Sequence, residues 1–288
     1  MLNYEAVKNY DFPEVTHTYT ERDSILYALG IGFGADPVHP GHLRHVVEGG
    51  LRTVPTMATV LAKPDRWATD PRTGIDFVKL VHGEQDVVMH RPIPAAGTLR
   101  ARSQIGTICD KGAGKGAVVE VSRELRDQEG ELYASVRQTV FLRGDGGYSE
   151  HCGKSDEPPA ALPAAPTTPP ELQVDLGTLE QSALIYRLSG DLNPLHSDPD
   201  TARKAGFPRP ILHGLCTYGM AAHAAMQALC DYDGTRIRRL ATRFSSPVFP
   251  GETIRFRFWR RADGTYQLDA SVPQRNTTVL SHGVLELA

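Results

Sequence analysis

The chain has 288 residues, of which 40% are hydrophobic and 23% charged, and its formal net charge is −3. This composition excludes a disordered or collagen-like chain, and the charge balance gives no reason to expect nucleic acid as a partner. The apolar runs are far shorter than the ~20 residues that cross a bilayer, and the first residues lack the apolar core of a signal peptide. We therefore expect a cytoplasmic protein with no membrane segment, built as one large domain or as two.

The first half of the chain contains a short helical segment followed by a series of strand-like segments. The predicted helix covers Thr56–Ala62, and a hairpin turn is predicted at Asp110–Gly116. The predicted strands are Glu84–His90, Thr98–Ile108, Ala117–Asp127 and Leu132–Leu142.

A proline-rich segment then divides the chain near its middle. The stretch 153–170 holds six prolines in eighteen residues and has no aromatic residue. Because proline removes backbone donors and favours extended conformations, this composition predicts a semi-rigid linker. We therefore expect one domain over 1–152, a linker over 153–171 and a second domain over 172–288.

The second half repeats the order of helix first and strands afterwards. Ile211–Cys230 lacks proline and is apolar on nearly every side, which predicts a buried helix. Three strands are predicted after it, at Arg239–Phe244, Thr253–Trp259 and Tyr266–Val272. A helix followed by antiparallel strands is an α+β pattern in which the sheet wraps around the helix.

The two halves also resemble each other in sequence, which indicates an old duplication. The segment 21–32 aligns with 180–191 at an offset of 159, and this places Tyr27 on Tyr186. A second block, beginning at Pro92 and Pro247, aligns at an offset of 155. A single small insertion or deletion between the blocks explains the difference.

The densest polar cluster lies in the segment 186–202, YRLSGDLNPLHSDPDTA. Asp191, Asn193 and His196 supply a carboxylate, an amide and an imidazole within six residues, and the neighbouring glycine and prolines predict a loop. A carboxylate and a histidine facing one space can hold a water and move its protons, with Asn193 orienting either partner. This spacing predicts general acid–base chemistry.

His213 and Gly214 stand at the beginning of the predicted buried helix. Backbone N–H groups in the first turn of a helix have no internal acceptor, and glycine lets a ligand approach them closely. The Gly214 N–H therefore suits a developing negative oxygen. An acid–base pair with an oxyanion donor indicates enolate chemistry at a thioester.

Other polar groups nearby have simpler interpretations. His213 is a candidate substrate contact, but a histidine that only bonds backbone at a helix start is an equal alternative. Asp198 is expected to cap the short helical turn that follows it, and we expect no metal site here. Arg243 belongs to a group of arginines on one predicted strand that could bind the phosphates of coenzyme A, with a solvated edge as the alternative.

The segment 186–202 resembles the signature of the MaoC-like, hydratase 2 family. Eight motif positions carry this resemblance: Ser189, Gly190, Asp191, Asn193, Pro194, Leu195, His196 and Ala202. In the first half, the segments 26–32, 81–84, 90–98 and 110–116 resemble the amino-terminal half of the long enzymes of this family. The resemblance thus covers nearly the whole chain.

This resemblance implies a tandem, or double, hot-dog fold and (R)-specific 2-enoyl-CoA hydratase activity. By carry-over, Asp191 and His196 are the catalytic dyad, Asn193 supports it, and the Gly214 N–H receives the thioester oxygen. Gly190, His213 and Arg243 are the candidate substrate contacts. The reaction implies an acyl-CoA substrate with no metal and no separate cofactor.

The offset of 159 places Asp191 on Gly32, His196 on Pro37 and Gly214 on Pro55. We therefore expect one active site per chain, with the first half shaping an acyl pocket. Two alternatives remain open: a hot-dog acyl-CoA thioesterase, for which the predicted helix offers no carboxylate, and a non-catalytic acyl-CoA-binding subunit. A homodimer of the whole chain is compatible with exposed sheet edges.

Overall fold

One antiparallel sheet runs through both halves of the chain. The computed structural model describes residues 1–64 and 67–288, and within these ranges ten strands form a single sheet in the order β1-β3-β4-β5-β2-β7-β10-β9-β8-β6. The strands are β1 (Glu14–Tyr19), β2 (Leu80–Met89), β3 (Gly97–Asp110), β4 (Ala117–Arg126), β5 (Leu132–Leu142), β6 (Leu172–Gly177), β7 (Ile237–Phe244), β8 (Thr253–Arg260), β9 (Tyr266–Val272) and β10 (Thr277–Leu287). The predicted strands are confirmed, and β1, β6 and β10 are additional.

The strand order shows the duplication directly. Counted outward from the centre, each half follows the order second, fifth, fourth, third and first strand. The halves meet where β2 pairs with β7, and Glu84 lies opposite Arg243, its partner at the offset of 159. The sequence repeat is therefore a structural repeat related by an approximate two-fold axis at this junction.

Ion pairs reinforce the junction on one face of the sheet. The guanidinium of Arg239 donates two hydrogen bonds of 3.0 Å to the carboxylate of Asp86, which also receives one of 2.7 Å from Arg137. Arg243 Nε donates to Glu84 at 2.8 Å. Asp86 is buried and has two cationic partners, so its charge is well compensated.

The longest helix lies in the second half and is almost entirely buried. The helices are α1 (Tyr4–Lys8), α2 (Glu21–Gly30), α3 (Pro40–Leu43), α4 (Ser149–Cys152), α5 (Ser182–Tyr186), α6 (Pro199–Lys204) and α7 (Gly214–Leu229). Helix α7 confirms the predicted buried helix but begins three residues later. Leu212 N–H bonds the carbonyl of Val248, so the segment before Gly214 is extended rather than helical.

The first half lacks an equivalent long helix among its described residues. The predicted helix at 56–62 is instead a 3₁₀ helix at Pro55–Thr59. Arg123 ends it by donating to the carbonyls of Ala58 and Thr59, at 3.2 and 2.8 Å. Ala62 has a left-handed backbone with φ 43°, so the helix cannot continue.

The two halves also pack against each other through α2, α5 and α7. The rings of Tyr27 and Tyr186, equivalent in the sequence repeat, lie 5.9 Å apart and are fully buried. Gly219 permits α2 to approach α7, because a Cβ there would lie 2.6 Å from Ile31 Cγ2 and 3.0 Å from the Tyr27 hydroxyl.

The proline-rich segment forms neither helix nor strand between Gly153 and Glu171. The carbonyl of Thr168 accepts a hydrogen bond from the Trp259 indole at 2.8 Å. Residues Pro159–Pro163 border the sheet face that carries Asp86 and Arg239. In the described ranges, no helix has the length and apolarity needed to span a bilayer.

We predict that Gly219→Ala lowers the free energy of unfolding by about 1–3 kcal/mol, because the added methyl group overpacks the contact between α2 and α7. Gly177→Ala is the control, since a Cβ at Gly177 meets nothing within 4 Å. Urea unfolding midpoints measure both. Equal midpoints for the two variants would contradict the close packing of α2 on α7.

Candidate active site

The candidate site is built on the loop between α5 and α6. A 3₁₀ turn at Arg187–Ser189 ends at Gly190, whose φ of 101° is the left-handed conformation that glycine adopts without strain. Asp191 follows, and its carboxylate accepts the backbone N–H of Asn193 at 3.2 Å. A Cβ on Gly190 would meet no atom within 4 Å, so the chain beside Asp191 is open to a ligand.

Asn193 shapes the next turn. Its side-chain oxygen accepts the N–H of Leu195 at 3.1 Å and caps the 3₁₀ helix Pro194–His196. Pro194 occupies the first position of that turn, where a missing N–H costs nothing. The structure thus gives Asn193 a positioning role toward His196 through the backbone.

His196 is buried, and one of its nitrogens is already engaged. Nδ1 lies 2.8 Å from the carbonyl oxygen of Ile211. Because a carbonyl can only accept, Nδ1 must carry the proton, and Nε2 of the neutral ring keeps a lone pair. His196 is therefore held in the tautomer that a general base acting through Nε2 requires.

His213 stacks on His196 with ring centroids 3.7 Å apart. Its Nε2 donates to the backbone carbonyl of Asp191 at 3.1 Å, and its buried Nδ1 has no hydrogen-bond partner among the described residues. This bond fixes the chain at Asp191 relative to α7. Polar atoms of Asp191, His196 and His213 all lie within 4.8 Å of one another.

Gly214 is the first residue of α7, so its N–H has no acceptor within the helix. A Cβ at this position would lie 3.2 Å from the ring of Phe244. Glycine therefore keeps a narrow space open between the helix start and the end of β7. Gly214 directly follows His213, whose ring stacks on His196.

Lys63, from the first half of the chain, adds a positive charge that lowers the pKa values of Asp191, His196 and His213. Burial raises the pKa of Asp191, but the Lys63 ammonium and then the neighbouring histidines lower it below its ordinary value. Burial lowers the pKa of His196, with a further contribution from Lys63. Burial, and then His196, lowers the pKa of His213 to about 4. Near neutral pH the site therefore holds an ionised carboxylate and neutral imidazoles.

Arg243 is not brought to this cluster. Its side chain pairs with Glu84 on the face of the sheet that the linker borders, whereas the next residue, Phe244, faces Gly214. Successive residues of a strand point to opposite faces, so both cannot line the same cleft. Arg243 therefore does not reach the acid–base cluster, and its contact with the phosphates of coenzyme A stays a prediction.

Two residues of the site were missed by reasoning from the sequence. Lys63 lies 128 positions before Asp191, in a segment without a recognisable pattern. His82 lies at the start of β2, and its ring packs against Phe244 with centroids 4.7 Å apart. Only the pairing of β2 with β7 brings the two rings together.

Asp191, His196 and His213 form a cluster whose spacing could hold a metal ion. Each imidazole directs one N–H at a backbone carbonyl and keeps one nitrogen available. The same arrangement serves proton transfer without a metal. The absence of a metal from the reaction stays a prediction.

The equivalent place in the first half is closed. Pro55, which replaces Gly214, has no N–H to offer and packs on Gly234, at 2.8 Å from where a Cβ would stand. The cavity that Pro55 lines with Met89 and Ile93 has a volume of about 30 Å³. That is room for about a single water, so this place does not admit an acyl thioester.

Comparisons with known proteins agree with this architecture. A Mycobacterium tuberculosis protein described as having a double hotdog fold superposes with a TM-score of 0.55 at 15% identity, over 96% of this chain and 94% of its own. The chain has this tandem hot-dog fold. Residues 161–280 match the MaoC like domain, and residues 17–144 match the MFE-2 hydratase 2 N-terminal domain. The chain belongs to the MaoC-like, hydratase 2 family.

Individual relatives match along the whole chain. Enoyl-CoA hydratase ChsH3 of Mycobacterium tuberculosis is 38% identical over 98% of both chains. The peroxisomal enoyl-CoA hydratase 2 of Arabidopsis thaliana is 38% identical over 97% of this chain and 94% of its own. The crystal structure of a MaoC-like dehydratase from Phytophthora capsici has a TM-score of 0.85 at 32% identity, over 100% and 99% of the two chains.

We predict that Lys63→Met raises the pKa of both Asp191 and His196, because it removes a positive charge that lowers both. Carboxyl ¹³C and imidazole ¹⁵N titrations measured by NMR should move to higher pH. Lys63→Arg keeps the charge and should leave both curves in place. Unchanged curves in the methionine variant would exclude Lys63 from the electrostatics of the site.

Proposed function

We propose that the protein catalyses the reversible hydration of trans-2-enoyl-CoA to (3R)-3-hydroxyacyl-CoA. The observation that carries the proposal is the convergence of Asp191, His196 and His213, with one nitrogen of the His196 ring available, directly before Gly214, the first residue of α7. Membership of a family whose named relatives include enoyl-CoA hydratases supports the same reaction.

The chemistry explains why these groups are needed together. An isolated alkene does not add water, but conjugation to a thioester lets negative charge move from C3 and C2 to the carbonyl oxygen. The N–H of Gly214, at the positive end of α7, stabilises that oxygen. A base beside C3 then has only to activate one water molecule.

The protonation states of the dyad suggest how the proton moves. Asp191 ionised and neutral His196 can both accept a proton from water, but neither has a proton of its own to deliver. In our proposal His196 Nε2 takes one proton as the water oxygen attacks C3, while Asp191 holds the other O–H. The proton taken from the water then passes to C2 of the enolate, so that one water is added and the dyad is regenerated.

The surroundings of the loop suit an apolar acyl group. Leu184, Leu188 and Leu192 flank Asp191 along the chain and are 53%, 60% and 64% exposed. Exposed leucines on the segment that carries the dyad offer apolar surface to a chain extending from the thioester.

Two other functions remain as alternatives in the test. A hot-dog thioesterase would need a carboxylate on the central helix, and α7 contains none. A non-catalytic binding subunit would not need a free imidazole nitrogen and an ionised carboxylate at the helix start.

Incubation with crotonyl-CoA and a longer trans-2-enoyl-CoA distinguishes a hydratase from a thioesterase and from a binding subunit. We expect loss of the enoyl absorbance, no free thiol and an (R)-hydroxy product. Release of free thiol would indicate a thioesterase, and no change would indicate a binding subunit. An (S)-product would contradict the proposed stereochemistry.

We predict that Asp191→Asn and His196→Ala each lower kcat/KM by about 10²–10⁴, because each removes a group that handles the proton. Asp198→Asn is the matched control: Asp198 caps α6 two residues from His196 and takes no part in the proton transfer. Near-normal turnover of the Asp191 or His196 variant would show that the dyad is wrongly assigned.

The remaining expectations stay predictions. They are a cytoplasmic location, the absence of a separate cofactor, a role in fatty acid metabolism and a homodimer in solution. The names of some relatives include the word peroxisomal, which is a reason to test the location by fractionation.

A further inference from the structure

His82 stands at an irregularity in β2 that changes the direction of its side chain. His82 pairs with Val140 and Glu84 with Thr139, so Gly83 is one extra residue in β2 and forms a β-bulge. A Cβ at Gly83 would lie 3.1 Å from the Thr139 carbonyl oxygen, which explains why glycine suits the bulge.

The bulge places His82 on the inner face of the sheet. Without it, His82 would lie on the same face as Glu84, because residues two apart share a face. With it, His82 lies beside Val140, whose side chain is buried in the core. The ring of His82 therefore reaches Phe244, which in turn borders Gly214.

The hydrogen bonding of His82 leaves one acceptor available. Nε2 lies 3.1 Å from the carbonyl oxygen of Glu84, so Nε2 carries the proton and Nδ1 keeps a lone pair. Burial lowers the pKa of His82 to about 4, with Lys63 lowering it further and Asp191 opposing. The ring is therefore neutral near pH 7, and Nδ1 is an acceptor.

We propose that His82 binds the pantetheine arm of the substrate, with its Nδ1 accepting the N–H of the amide nearest the thioester. The inference rests on the proposed function, which places the thioester oxygen at the Gly214 N–H. Four bonds along the arm separate the thioester carbon from that amide nitrogen, and the ring of Phe244 contacts both Gly214 and His82. The first half of the chain thus supplies a specificity-determining contact to the site of the second half.

Two substitutions test separately the roles of Nδ1 and Nε2 of His82. Asn places an oxygen near the position of Nδ1, whereas Gln places an amide near the position of Nε2. His82→Gln should raise KM for crotonyl-CoA by about three- to tenfold with kcat unchanged, because a contact to a remote part of the substrate is lost. His82→Asn should stay close to wild type. The reverse order would show that His82 serves only to hold the carbonyl of Glu84.

Shorter thioester substrates show whether the contact of His82 is with the amide of the pantetheine arm. The loss in kcat/KM with His82→Gln should persist with crotonyl-N-acetylcysteamine, which keeps the amide, and disappear with the crotonyl thioester of propanethiol, which lacks it. Equal losses on both would overturn the proposal and place the effect on the dyad or the fold. Failure of the proposed function is a separate result, because wild-type protein would then hydrate none of these thioesters.

Discussion

The antiparallel pairing of β2 with β7 is the constraint on which the rest of the structure depends. It joins two five-stranded units into one sheet and places Asp86 against Arg239 across the junction. Because the two strands are equivalents in the sequence repeat, their pairing also defines the approximate two-fold axis. The axis brings residues of the first half into reach of the loop that carries Asp191.

The two halves of the duplication differ at the place of the candidate site. In the second half a long buried helix begins at Gly214, directly after His213, whose ring stacks on His196. In the first half a proline begins only a short 3₁₀ helix, and the space beside it is nearly filled. The chain between that helix and β2 brings Lys63 to the remaining site instead. The first half has no counterpart of Asp191, His196 or the Gly214 N–H at the aligned positions, and its Lys63 adds positive charge to the candidate site of the second half.

Sequence patterns within short segments predict most of the helices, strands and turns. The buried helix, the central strands and the turn containing Asp191, Asn193 and His196 follow from apolar periodicity and turn residues within short segments. The helix predicted at 56–62 is present only as the 3₁₀ helix Pro55–Thr59, because Arg123 binds its last carbonyls and Ala62 has a left-handed backbone. The sequence of the segment shows neither the contact with Arg123 nor the left-handed conformation of Ala62.

Non-local placement could not be read from the sequence. The charge of Arg243 predicts a contact with the phosphates of coenzyme A, but charge does not reveal that Arg243 lies on the face of β7 opposite Phe244. The ring of His82 reaches Phe244 only because Gly83 forms a bulge in β2. Lys63 comes near Asp191 because Arg123, which is distant in sequence, binds the carbonyl of Thr59 just before it. Each placement depends on a neighbouring strand: Glu84 of β2 pairs with Arg243, Thr139 of β5 faces the bulge at Gly83, and Arg123 of β4 binds the segment before Lys63.

The central claim is that each chain has one working site, assembled from both halves. Calorimetric titration of the Asp191→Asn variant with a trans-2-enoyl-CoA measures this directly, because the variant keeps the binding groups while its kcat/KM is lower by about 10²–10⁴. The account predicts one molecule bound per chain. Two molecules per chain would contradict it, since the first half would then hold a site of its own.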